Sequence, residues 1–110
     1  MTALLLSGCS AHPEEPLLER FFEASRLRDR TALQSISTVI FEPRDDGIVT
    51  RFDITNVTQE ERGEGTATKN VTLKAPVKLP DGRILQKTLT VTMEKRSGNW
   101  LVTGVASFQR

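Results

Sequence analysis

Four turn signals cut the C-terminal two-thirds of this 110-residue chain into stretches of alternating, β-forming sequence. They are Arg44-Asp45-Asp46-Gly47, Glu61-Arg62-Gly63-Glu64, Pro80-Asp81-Gly82 and Arg96-Ser97-Gly98-Asn99. Successive turns of this kind predict an antiparallel meander. Side chains alternate across a strand, so a one-residue slip would send every apolar residue to the wrong face. The register is therefore testable from the sequence. With Leu79 opposite Arg83, Val77 meets Leu85, Leu73 meets Leu89 and Val71 meets Val91. With Lys95 opposite Trp100, Met93 meets Val102, Val91 meets Gly104 and Leu89 meets Ala106. With Glu60 opposite Gly65, Ile54 meets Val71 and Phe52 meets Leu73. With Pro43 opposite Ile48, Phe41 meets Thr50 and Val39 meets Phe52. All four pairings put apolar residues on one common face. The other face carries Arg51, Asp53, Thr72, Lys74, Lys78, Thr88, Thr90, Thr92 and Glu94, with Leu101 and Val105 as apolar exceptions.

Ahead of the meander, Leu17, Leu18, Phe21, Phe22 and Ser25 recur at helical spacing, and Glu19, Arg20, Glu23, Arg26 and Arg30 lie on the other side. Pro16 suits the first helical position, and Glu14 and Glu15 suit the positive end of the helix dipole. This predicts a helix over about 16–29. A break comes next at Asp29-Arg30-Thr31, and Thr31 is expected to cap a short second helix that buries Leu33 and Ile36. The helical layer must cover the apolar face of the sheet, with the small residues Gly104 and Ala106 allowing close approach. The expected fold class is α+β: an N-terminal helix and a short second helix on a curved antiparallel sheet of about five strands.

This layout, with the stretches "LLERFFEASRLRDRTALQSIS" and "SGNWLVTGVASFQR", resembles the NTF2-like superfamily with its cystatin-like α+β cone. The resemblance covers roughly residues 16–110. It implies a domain shared by enzymes and binding modules, often dimeric through the sheet, so fold alone does not decide function. The enzymes of that superfamily use Asp, His or Tyr inside the cone. This sequence has no Tyr and one His, His12, ahead of the first helix. Asp53 is expected on the polar face beside Thr72. The only charge expected on the inner face is Lys87, opposite Ala75. A general acid or base must aim at substrate with a tuned pKa, and the inner face offers no acid. Phe22, Phe41, Phe52, Leu73, Leu89, Met93, Trp100 and Phe108 form either a filled core or a small apolar pocket. At this length a filled core is favoured.

The only cysteine, Cys9, excludes a disulfide framework or a cysteine-based zinc site within the chain. It comes directly after Leu6-Ser7-Gly8, and Leu-Ser-Gly-Cys resembles the bacterial lipobox. In lipoproteins that cysteine takes a diacylglyceryl group and becomes the new N-terminus. The resemblance implies a chain held on the bacterial cell envelope through Cys9, with residues 1–15 as a truncated signal, lipobox and tether and residues 16–110 as a single domain. Only eight residues precede Cys9 and none is basic, which departs from a secretory signal. Asn56-Val57-Thr58 and Asn70-Val71-Thr72 match the N-glycosylation pattern, but behind a bacterial lipobox they read as strand sequence.

Net charge is +1, which argues against a nucleic-acid partner. Its distribution is uneven: residues 1–62 carry seven Lys/Arg against eleven Asp/Glu, and residues 63–110 carry eight against three. The expectation is a lipid-anchored binding or assembly module that needs no cofactor or metal. Its partners would be the membrane and an envelope protein or small apolar ligand, with a homodimer through the sheet as a further option. The alternative is a small NTF2-like enzyme, isomerase- or cyclase-like, with an apolar pocket.

Overall fold

The computed structural model describes residues 12–109, with side chains through Ser107. Two helices cover one face of a curled antiparallel sheet, as the α+β expectation requires. Helix α1 spans Glu15–Leu27 and starts from a turn closed by Glu15 N–H donating to the His12 carbonyl at 3.1 Å. Pro16 sits in its first turn. It ends where Arg28 adopts a left-handed conformation (φ 55°), and Asp29 N–H donates to the Ala24 carbonyl at 2.9 Å. Leu18, Phe21, Phe22, Ala24 and Ser25 form the buried stripe. Helix α2 spans Arg30–Ile36 and buries Leu33 and Ile36. Its cap is Asp29, not Thr31: the Asp29 carboxylate accepts from Ala32 N–H at 3.1 Å. Because α1 unwinds at Arg28, Asp29 is left extended in the capping position.

Six strand segments form four rows. Strands β4 (Thr66–Lys78), β5 (Ile84–Arg96) and β6 (Asn99–Gln109) are long. Strands β1 (Ile48–Val49), β2 (Asp53–Val57) and β3 (Glu61–Arg62) succeed one another along the free side of β4. The β4–β5 ladder has the expected register, pairing Val77 with Leu85, Leu73 with Leu89 and Val71 with Val91.

The other three hairpins depart from expectation, each for a local reason. In β5–β6, Lys95 pairs with Trp100 and Met93 with Val102, but the register then shifts. Thr103 is an extra residue, a β-bulge. Beyond it Thr92 pairs with Gly104, Val91 with Val105 and Leu89 with Ser107. Val105 thereby joins the core side, and Gly104 and Ala106 do not provide the close approach to the helix. Between β2 and β4, Ile54 pairs with Leu73 and Val57 with Val71, across an irregularity at Thr55. The turn is tighter than the sequence suggested, with Gly63 N–H donating to the Thr66 carbonyl at 2.9 Å.

The first hairpin does not form, and β1 pairs with Lys78 and Val77 instead. Several backbone N–H groups of residues 37–46 find other partners. Thr38 N–H donates to the Val102 carbonyl (2.9 Å), Phe41 N–H to Ser25 Oγ (3.1 Å) and Glu42 N–H to the Asp46 carboxylate (2.9 Å). Ser25 is thus a buried polar residue on the helix's apolar stripe with a partner that explains it.

Candidate functional site

The most unusual chemistry lies where α1 begins. Glu14, one residue ahead of the helix, is only 6% exposed. Its Oε2 accepts from Lys69 Nζ at 2.5 Å. The same ammonium stands 4.3 Å from the centroid of the Trp100 ring, within cation–π range. Strand alternation positions Lys69: it lies two residues before Val71 and pairs with Met93, on the core side of the sheet. The expectation that Lys87 is the only inner-face charge is therefore corrected. Counting back from Leu73 and Val71 in steps of two would have found Lys69. Burial pushes the Glu14 carboxyl up. The Lys69 hydrogen bond, a backbone hydrogen bond and the neighbouring positive charges together outweigh it and hold the group below its ordinary value. Glu14 Oε1 is buried with no hydrogen-bond partner among the described residues.

The other sequence-derived candidates do not converge on this cluster. Asp53 is exposed on the polar face, opposite Lys74 rather than beside Thr72, because the β2 register differs from expectation. Lys87 is half-buried opposite Ala75, as expected. Asn70 is engaged across the sheet, accepting from Thr92 Oγ1 at 2.9 Å. Cys9 lies outside the described residues.

The apolar set behaves as a packed core. Phe22, Phe41, Leu73, Leu89 and Met93 are buried, and Phe52 and Trp100 are half-buried against them. Phe22 meets Phe21 and Phe41 edge-on, with ring centroids 5.2 and 5.5 Å apart. The bulge pairs Phe108 with Thr88 rather than Lys87, and its side chain lies outside the described part.

Two grooves border this core. One, of about 340 Å³, runs between α1 and the gap separating β1 from β2. Its floor is Phe22, Val49 and Phe52, and its rim is Glu19, Glu23, Arg26 and Arg51. The gap exists because Thr50–Phe52 leave the ladder while Phe52 leans on Phe22 at 5.7 Å. The other, of about 580 Å³, lies between α2 and residues 37–42, flanked by Arg28, Arg30 and the partly exposed Ile40.

Among the described residues no group of three His, Cys, Asp or Glu side chains is placed to hold a metal ion, and no helix is long and apolar enough to cross a membrane. No family model, curated protein or solved structure matches this chain.

Proposed function

We propose that this protein is a lipid-anchored module of the bacterial cell envelope, with an NTF2-like domain that binds or assembles rather than catalyses. The observation that carries the reading is Leu6-Ser7-Gly8-Cys9, placed three residues ahead of His12, the first described residue. Two or more acyl chains on one residue give stable anchoring without a transmembrane helix. The packing of Phe41, Leu73, Leu89 and Met93 supports a binding surface rather than an internal reaction chamber. The exposure of Asp53 supports the same choice, since a general acid or base needs an environment that tunes it.

The test is intact mass and membrane fractionation of the protein expressed in bacteria from its native reading frame, beside Cys9→Ser. Acyl mass and membrane sedimentation in the wild type, both lost in Cys9→Ser, are expected. Unmodified, soluble protein in both cases would overturn the anchor.

One observation favours a second reading, a small enzyme or carrier acting on an apolar ligand. The groove floored by Phe22, Val49 and Phe52 joins an apolar surface to the carboxylates of Glu19 and Glu23. Saturable binding of an apolar fluorophore, abolished by Phe52→Asp in a folded protein, would support it.

A further inference from the structure

We infer that the end of the sheet carrying the Gly63–Gly65 and Ser97–Gly98 turns, with Trp100 beside it, rests on the lipid headgroups. This rests on the anchor proposed above and adds what the anchor alone does not: an orientation.

Distance decides it. Glu14 is fixed to Lys69, three residues from the start of β4. The chain is held in a turn from His12 by the Glu15 hydrogen bond to its carbonyl. Only Ser10 and Ala11 separate His12 from Cys9. Three residues of extended chain reach roughly 11 Å at most. The polar layer of one leaflet is itself about 5–8 Å deep. An acylated Cys9 therefore holds His12 within a few ångströms of the headgroup layer, roughly 3–6 Å beyond it at most. The opposite end of the sheet, at Pro80–Gly82, lies beyond the 13 residues of β4, roughly 40 Å away at strand rise. So short a tether cannot bring that end down first.

The near end also has the chemistry of an interfacial contact. Trp100 is half-buried, one pair in from the Ser97–Gly98 turn, and pairs with the exposed Lys95. Tryptophan is favoured at headgroup depth, where its ring meets acyl chains and its N–H stays wet. Lys95, Arg96 and Arg62 sit on the same two turns, interspersed with Glu60, Glu61, Glu64 and Glu94. This mixed charge suits a zwitterionic layer better than a strongly anionic one. The Pro80–Gly82 turn would then face away, open to a soluble partner.

Trp100 is the only tryptophan, so the protein carries its own probe. The full chain is purified from bacterial membranes, its acyl mass verified, and reconstituted in phosphatidylcholine vesicles containing brominated lipid. Trp100 emission is expected to be quenched at least twofold. In Trp100→Phe/Ile84→Trp, with the probe at the far, exposed end, quenching is expected to be under a fifth. Equal quenching of both probes would mean a side-lying domain, and quenching of neither would mean a free one; either overturns the orientation while leaving the anchor intact. Missing acyl mass would instead overturn the anchor and the orientation with it. If the tryptophan exchange disturbs folding, nitroxide labels on Lys95→Cys and Ile84→Cys give the same comparison, since Cys9 is blocked by its lipid. Lipid contact at position 95 but not 84 is expected, and the reverse overturns the orientation.

Discussion

Glu14 and Lys69 stand fifty-five residues apart in the chain, and Lys69 Nζ donates to Glu14 Oε2 at 2.5 Å in a nearly dry setting. The pair pins the first turn of α1 to the first third of β4. Breaking a buried pair from one side leaves a charge that neither water nor a partner solvates. Lys69→Met is expected to lower unfolding free energy by about 3 kcal/mol in urea denaturation. Glu14→Gln/Lys69→Met, which removes both charges, should recover most of that loss.

The same pair sets a pH dependence with a definite sign. Glu14 titrates lower in the folded protein than its unfolded value of about 4.3. Its contribution is therefore present above that value and lost as pH falls through the folded one. Urea midpoints measured from pH 6 down to pH 3 should fall accordingly. In Lys69→Met, burial acts on the carboxyl without its main opponent and raises it. The protonated form then favours folding, so part of the variant's deficit should disappear as the pH drops.

Gly47 and Gly82 share a φ of +94° but differ in their surroundings. A Cβ at Gly47 would lie 2.6 Å from Val77 Cγ1 and 2.8 Å from the Lys78 carbonyl oxygen; one at Gly82 meets nothing within 4 Å. Gly82→Ala adds backbone strain alone, about 1 kcal/mol. Gly47→Ala adds strain and a backbone clash, about 3 kcal/mol, and should loosen β1 from β4. Thermal melts of the two variants give the comparison.

The bulge at Thr103 makes opposite demands on two neighbours. Val105 pairs with Val91 and packs on the core, and Ala106 is exposed. Val105→Asp is expected to cost about 2–3 kcal/mol, and Ala106→Asp less than ~0.5 kcal/mol. An unbulged ladder would reverse the order.

How much of the fold was legible in the sequence depends on how strongly each register is specified. Between β4 and β5, thirteen consecutive pairs and a Pro-Asp-Gly turn all demand one alignment, and that alignment forms. At Thr103 the one mark of the extra residue is the adjacent Gly104, which reads in the sequence as room for the helix instead, and a valine on either side can serve the core. Val39-Ile40-Phe41 is a continuous apolar run of β-forming residues. It does not become a strand because Ser25, read as part of the helix's inner stripe, accepts the Phe41 N–H. The Glu14–Lys69–Trp100 cluster escaped because in the sequence Glu14 and Trp100 read separately, as helix-dipole partner and core aromatic, and Lys69 has no assigned role. Only the crossing of α1 over β4 brings them together.

The broken outer row of the sheet has a consequence for how this molecule behaves in a crowd. Segments of two, five and two residues, interrupted at Thr50–Phe52 and Thr58–Glu60, offer an incoming strand no continuous line of unpaired amides. On the opposite side, the Val102 carbonyl is already taken by Thr38, and the Thr103 bulge bends the remainder of β6. Such interruptions deny a second chain the template it would need for fibrous growth. The sheet can therefore be packed at high density and still end with itself.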